Sequence, residues 1–317
     1  MTLKEKLLKT FREQGDIPLS GQMLADQFGV SRAAVWKAIQ ALRAEGYHIT
    51  ASIQGGYQFA TENDLLSAEA IRAFSKHPEL PVYCFAEIDS TNNYARRLSP
   101  ERPPHGTLIV ADSQTAGRGR QHHSFYSPAH TGLYLSLILC PEHSEYLQRL
   151  TPAAAVASVQ ALREQSDLDV RIKWVNDLFV GKKKVGGILT EAITDFESGK
   201  IDMIIVGIGI NCRTLDFPEE LSAIAGSLNA PIDRSRLAAS IRDHLLELAA
   251  DLEGAPFMQE YRDLSLVIGK EIRYEQDHLP CSAWVKDINE NGNLIIETPA
   301  HETEILSSGE ISIKDWQ

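Results

Sequence analysis

Two serine-capped, glycine-stopped helical segments set close together constrain this chain most. Ser20 precedes the run GQMLADQF, which stops at Gly29, and Ser31 precedes RAAVWKAIQALRAEG, which stops at Gly46. A serine before a helix accepts a hydrogen bond from an orphan N–H of the first turn, and a glycine after one tolerates the left-handed turn that ends it. Ala34, Val35, Ala38, Ile39 and Leu42 form one apolar stripe on the second segment, with Arg32, Lys37 and Arg43 largely off it. Leu3, Leu7, Leu8 and Phe11 recur at helical spacing before both segments. YHITASIQGGYQF then reads as two alternating strands joined at Gln54-Gly55-Gly56. Helix, short turn, helix and hairpin make a winged helix-turn-helix pattern, whose second helix enters a major groove. Arg32, beside the capping Ser31, sits where side chains meet base edges. Lys37, Arg43 and the hairpin tip are placed for phosphates. A small helical docking module is the alternative. A dimer is expected, because one such module binds DNA weakly and paired half-sites add affinity.

Charge divides the chain at the same place. Residues 1–60 carry seven Lys/Arg and five Asp/Glu, a net of +2, while the remainder carries 24 and 38, a net of −14. The overall charge of −12 excludes a wholly basic nucleic-acid coat protein, and the asymmetry suggests two partners of different kinds. Cys84, Cys140, Cys212 and Cys281 lie far apart with no C-x-x-C pair, so a zinc ribbon, a dithiol motif and a disulfide scaffold are all disfavoured. No apolar run reaches the roughly 20 residues of a membrane span, and the N-terminus lacks the apolar core of a signal peptide. No membrane partner is expected, and a reducing cytoplasm is the expected location.

The 317 residues are enough for two or three domains. VYCFAEI, TLIVAD, GLYLSLILC, VRIKWV, KVGGILTEAI and IDMIIVGIGI read as strands, with helical patterns at 92–98, 148–165 and 234–252. Many neighbouring strands meet through turns, such as Asn176-Asp177 and Gly181-Lys182, which favours α+β over a doubly wound sheet. After Ile268, EIRYEQ, CSAWVKDI, NLIIET and EILSSGEISI read as short strands of a small β-barrel, with Asn291-Gly292 as a hairpin turn. The expected domains are 1–62, 68–266 and 267–317, with a linker at 60–67.

The most unusual stretch is Ser113 to Pro128, SQTAGRGRQHHSFYSP, just after a strand. Glycines let backbone N–H groups approach an anion, and Arg118 and Arg120 supply fixed charge of bidentate geometry for phosphate or carboxylate. A solvated arginine-glycine loop is the bland alternative. Ser90, Thr91 and Asn92 read either as helix caps or as donors to a small polar ligand. Lys173-Trp-Val-Asn-Asp177 places a cation and a carboxylate around a tight turn. Lys184 precedes Gly186-Gly187, where a backbone can approach closely. Gly207-Ile-Gly-Ile-Asn211 ends a strand, and two alternating glycines suggest a floor for a ligand. Neither a dinucleotide fingerprint nor a P-loop is present.

In this order and behind a winged helix-turn-helix, DSTN, GRGR with the later Ser-Pro, KW-x-ND, KVGGIL and GIGIN resemble the bifunctional biotin–protein ligase and biotin operon repressor family. The resemblance covers nearly the whole chain. It implies a class II synthetase-like mixed sheet and an SH3-like tail. It also implies an enzyme that couples biotin to ATP with Mg²⁺, forms biotinyl-5′-AMP, and passes the biotinyl group to a carrier-domain lysine. That carrier is the biotin carboxyl carrier protein of acetyl-CoA carboxylase, or the carrier domain of pyruvate carboxylase. The adenylate-bound form is expected to be a homodimer that represses biotin genes on operator DNA. Matched motif to motif, Ser90, Thr91, Asn92 and Gln114 are assigned to biotin. Arg118, Gly119 and Arg120 go to its carboxylate and the α-phosphate, and Lys184 to the carboxylate or the adenylate. Lys173, Asn176 and Asp177 flank the phosphates and metal, and Gly207, Gly209 and Asn211 line the adenylate site. Arg118, Arg120, Lys184 and Asp177 are the expected catalytic set.

Four positions depart from the family pattern. His122 and His123 stand where Gly and Arg are common, Phe125 where Trp is common, and Val175 where Pro is common. Because histidine is mostly neutral at pH 7, weaker ATP binding than an arginine would give is expected. A lipoate-type acyl ligase and a ligand-sensing repressor without ligase activity are the alternative functions.

Overall fold

The computed structural model describes residues 1–15, 17–51, 55–59, 65–141, 145–195, 199–276 and 279–314, with His122 described by its backbone alone. Gln54 of the expected hairpin tip and residues 60–64 of the expected linker lie outside the described residues.

The head begins with α1 (Leu3–Gln14), capped by Thr2 and Glu5 in a reciprocal capping box. Ser20 Oγ caps α2 (Gly21–Phe28), Gly29 closes it in the left-handed conformation, and Ser31 Oγ caps α3 (Arg32–Ala44). Leu7, Leu8, Phe11, Leu24, Val35, Ile39 and Leu42 fill a core of their own. The hairpin strands β1 (Ile49–Ala51) and β2 (Tyr57–Phe59) pair antiparallel, with Phe59 stacked on Phe11. Next comes α4 (Ala68–Phe74), a helix with no clear sequence pattern, which turns Ala70 into the head core and Ile71 into the body core.

The body is one mixed sheet. In chain order its strands are β3 (Val82–Ile88), β4 (Leu108–Gln114), β5 (Gly132–Leu139), β6 (Val170–Lys173), β7 (Asp177–Val180), β8 (Lys183–Thr194) and β9 (Ile201–Asn211). Their spatial order is β3-β4-β5-β9-β8-β7-β6. Only β3 and β4 are parallel; α5 (Thr91–Leu98) connects them and packs on one face of the sheet. The other face is covered by α6 (Leu150–Arg163), α8 (Arg234–Ala249) and α9 (Phe257–Asp263), with the one-turn α7 (Glu219–Ser222) between β9 and α8. The strand β7 and the helix α9 were not expected, because each is short and lies beside a stronger turn signal.

The tail is a five-stranded antiparallel sheet of β10 (Glu271–Gln276), β11 (Leu279–Ile288), β12 (Leu294–Glu297), β13 (Thr303–Leu306) and β14 (Ile311–Ile313), in the order β13-β12-β11-β10-β14. EILSSGEISI, read as one strand, is therefore two: the chain leaves one edge at Leu306 and rejoins the sheet at the opposite edge at Ile311. Asn291-Gly292 is the expected turn, closed by Gly292 N–H on the Asn289 carbonyl at 2.9 Å. The tail has no separate core. Ile272, Val285, Ile288, Leu294 and Ile296 pack continuously with the body.

Candidate active site

The strand β9 explains why a cavity exists. Ile204, Val206, Ile208 and Ile210 point into the core beneath α6 and α8, while Met203 and Ile205 point into the small core beneath α5. The next positions on the α5 side are Gly207 and Gly209. A Cβ at Gly207 would collide with the Asn92 carboxamide, and one at Gly209 with the Phe125 ring. Removing both side chains leaves a cavity of about 420 Å³ beside the N-terminus of α5. Every ligase-site residue named from the sequence lines it: Ser90, Thr91, Asn92, Gln114, Arg118, Gly119, Arg120, Lys173, Asn176, Asp177, Lys184, Gly207, Gly209 and Asn211.

The end next to α5 is a polar network. Gln114 Oε1 accepts from Thr91 N–H at 2.9 Å and Thr91 Oγ1 at 3.2 Å, and Gln114 Nε2 donates to Ser127 Oγ at 2.9 Å. Ser136 Oγ lies 2.8 Å from Thr91 Oγ1 and 2.5 Å from Asn92 Oδ1. Ser90 is both the N-cap of α5, accepting from Asn93 N–H, and a lining residue, so the two sequence readings coexist. The preceding Asp89 carboxyl is held below the usual carboxylate range by hydrogen bonds from the Arg97 guanidinium. That pair anchors the strand-to-helix corner.

The glycine-arginine loop folds back as a hairpin. Gly119 N–H donates to His123 O at 2.7 Å and Phe125 N–H to Gly117 O at 2.9 Å. Arg118 Nη1 donates to Asn93 Oδ1 at 3.2 Å, and Arg120 Nη1 to Asn176 Oδ1 at 3.2 Å. Asn176 Nδ2 in turn donates to Ile188 O at 2.8 Å, so its acceptor oxygen is aimed at the loop. Lys184 Nζ pairs with Asp177 Oδ1 at 2.7 Å across adjacent strands. Burial pushes the Lys173 ammonium below the usual lysine range, Asp177 opposes that shift and Lys184 adds to it. A neighbouring phosphate oxygen would favour its charged form. At the far end Asn211 Nδ2 donates to Gly226 O at 3.0 Å, while Asn211 Oδ1 is buried without a partner. A buried orphan acceptor on a residue that lines the cavity favours a ligand that brings an N–H donor.

Several lining groups were missed in the sequence. Phe217, Leu221 and Ile224 form an apolar rim, and Gly309, Glu310 and Ile311 reach in from the tail. His123 Nε2 lies 3.5 Å from Glu310 Oε1, so this departure faces a carboxylate of the tail. Glu191 on β8 accepts from Asn92 Nδ2 and Arg96 Nη2, both at 2.8 Å, with Arg118 3.5 Å away. Nothing local in the sequence marks it, because its partners lie more than 70 residues away. The Trp174–Val175 peptide, at the last of the departures, is cis. Trp174 Nε1 donates to Gly292 O of the tail at 2.8 Å. On the head, Ser31, Arg32 and Lys37 are exposed on α3, whereas Arg43 is half-buried and donates from Nε to Ile49 O at 2.6 Å. Arg43 thus ties the second helix to the hairpin.

A DNA-binding-type head on a small-molecule ligase-type cavity defines the class. Residues 84–211 match the biotin/lipoate A/B protein ligase family, residues 4–58 a helix-turn-helix domain, and residues 267–314 the biotin protein ligase C-terminal domain. The chain is 38% identical over 250 residues to the bifunctional ligase/repressor BirA of Bacillus subtilis (strain 168), covering 77% of this chain and 76% of that protein. It is 29% identical over 295 residues to BirA of Escherichia coli (strain K12), covering 88% of each. The biotin protein ligase of Aquifex aeolicus, solved in complex with biotin and ATP, superposes with a TM-score of 0.64 at 28% identity, over 74% of this chain and 98% of that one. The chain belongs to the bifunctional biotin–protein ligase/repressor family.

Proposed function

We propose that the chain joins biotin to ATP in the 420 Å³ cavity, forming biotinyl-5′-AMP and pyrophosphate, and then transfers the biotinyl group to a carrier lysine. The observation that carries this reading is the convergence of Arg118, Arg120, Lys173 and Lys184 on one cavity. Both substrates of the first step are anions, and fixed cations offset their repulsion. A biotin carboxylate oxygen attacks the α-phosphorus and pyrophosphate leaves, so no general base is required. The developing charge at phosphorus falls to the arginines and lysines. In the second step the carrier amine attacks the acyl carbon, loses a proton, and AMP leaves. Asp177, which lines the cavity and pairs with Lys184, is the carboxylate assigned to take that proton.

Mg²⁺ suits this donor set. Magnesium is usually held by one or two carboxylates together with substrate phosphates, and Asp177 beside Asn176 offers that arrangement. Among the described residues no group of three His, Cys, Asp or Glu side chains holds a metal alone. When bound, the ion supplies positive charge against the phosphates. The acceptor is the biotin carboxyl carrier domain of a biotin-dependent carboxylase. The adenylate-bound chain dimerises and represses biotin genes through its head. It works in the cytoplasm, where its four free cysteines stay as thiols; no helix of the described residues is long and apolar enough to cross a membrane.

ATP–pyrophosphate exchange tests the reading. Exchange is expected with biotin and not with lipoate or without acid. Exchange driven by lipoate overturns the substrate, and no exchange with either acid leaves a ligand-sensing repressor.

A further inference from the structure

The helix α3 carries an anomaly. Its buried stripe is Val35, Ile39 and Leu42, and its opposite face presents Ala33, Trp36, Lys37 and Gln40 at spacings of three, one and three residues. Trp36 stands 56% exposed, and it makes no hydrogen bond or ring contact with another described residue. An indole is costly to leave in water and buries well only against a surface shaped for it. The surrounding charge indicates what kind of surface that is. Helix α3 contains three basic residues and no acidic one, Arg32 sits at its first turn, and Lys37 lies beside Trp36. The N-terminus of α3 adds the partial positive charge of its unpaired N–H groups. The occupant is therefore anionic at its edges and offers an apolar point between them.

A DNA major groove has that form. Phosphates line both rims, and the one apolar group on its floor is the C5-methyl of thymine. Resting on the reading of the head as a DNA-binding module, we propose that Trp36 is a specificity residue that packs its indole on a thymine methyl, while Arg32 and Lys37 engage the flanking backbone or base edge. The half-site of this chain contains at least one thymine that is read by its methyl alone. The same face is too positive for a second copy of α3, which would oppose like charges across the contact.

The test exchanges thymine for deoxyuridine, which removes the methyl and nothing else. The full-length protein, supplied with biotin and ATP, is used to enrich bound sequences from random duplexes, and each thymine of the enriched site is then replaced in turn. Wild type is expected to lose about fivefold or more in affinity at one thymine per half-site. Trp36→Ala is expected to bind the thymine duplex roughly tenfold more weakly and to show a thymine-to-uracil ratio near one, with Trp36→Phe between the two. The melting temperature of each variant checks its fold. If Trp36→Ala keeps the wild-type thymine-to-uracil ratio, the inference is wrong while the repressor reading stands. The inference is equally wrong if the substitution changes only self-association in sedimentation. If wild type enriches no sequence, the repressor reading falls and this inference with it.

Discussion

Head and tail are attached to the ligase sheet in opposite ways. The head keeps its own apolar core, which Ala70 of α4 enters, and otherwise meets the body through polar side chains: Arg12 with Asp233 at 3.0 Å, Arg72 with Glu5 at 3.2 Å, and Tyr47 with Ser67 at 2.6 Å. The tail has no core of its own; its strands complete the body's, and Glu310 and Ile311 form part of the cavity wall. Two regions of similar size thus differ in whether they are partners of the catalytic unit or part of it. Apolar continuity couples stability, whereas a polar seam can be loosened at little cost.

A matched pair of substitutions breaks the comparison most directly. Val285 and Ile39 are both fully buried, one in the tail and one in the head. An unpaired buried carboxylate costs roughly 4 kcal/mol or more. Val285→Asp is expected to abolish biotin-dependent exchange and DNA binding together. Ile39→Asp is expected to abolish DNA binding while exchange stays within about threefold. Loss of exchange in Ile39→Asp would mean that the head is as integral as the tail.

A smaller effect is expected at the seam between turn and tail. Trp174→Phe leaves the Gly292 carbonyl without the indole donor, a loss of about 1–3 kcal/mol in chemical denaturation. Because that hydrogen bond ties the KW-x-ND turn to the hairpin of the tail, the Michaelis constant for ATP is expected to rise more than that for biotin. Equal changes in both constants would argue against a link from tail to phosphates.

The smallest effect is expected at the seam between head and body. The Arg12 side chain is 7% exposed, two of its nitrogens have no hydrogen-bond partner, and it lies over Phe74. Removing one partner is costly where it strands a buried charge, but the Asp233 side chain is 25% exposed and keeps the hydrogen bonds from Ser235 N–H and Arg236 N–H. Arg12→Met is therefore expected to shift unfolding by less than about 1 kcal/mol in either direction. A loss of several kcal/mol would make this seam a structural joint.

The division of labour between local and distant contacts also explains what could be read from the sequence. Ser20, Gly29 and Ser31 announce the head because capping is decided within four residues. The DSTN, GRGR and KW-x-ND motifs announce the cavity because each is one turn or loop. Glu191 was invisible, since its meaning comes from Asn92, Arg96 and Arg118, which only the sheet brings to it. Glu310 was invisible for the same reason, and also because EILSSGEISI hides the crossing from one sheet edge to the other. The orphan oxygen of Asn211 depends on which way a carboxamide faces, and a residue type alone does not carry that.

The floor of the cavity has one more consequence, for how such a protein can change over generations. Every single-base change of a glycine codon that alters the amino acid introduces a Cβ, and at Gly207 and Gly209 that atom strikes Asn92 or Phe125. The floor therefore has no neighbouring variant that preserves its shape. Drift in what this lineage accepts has to enter through the walls, at Phe125, Phe217 or the loop that carries Arg118, while the backbone beneath stays as it is.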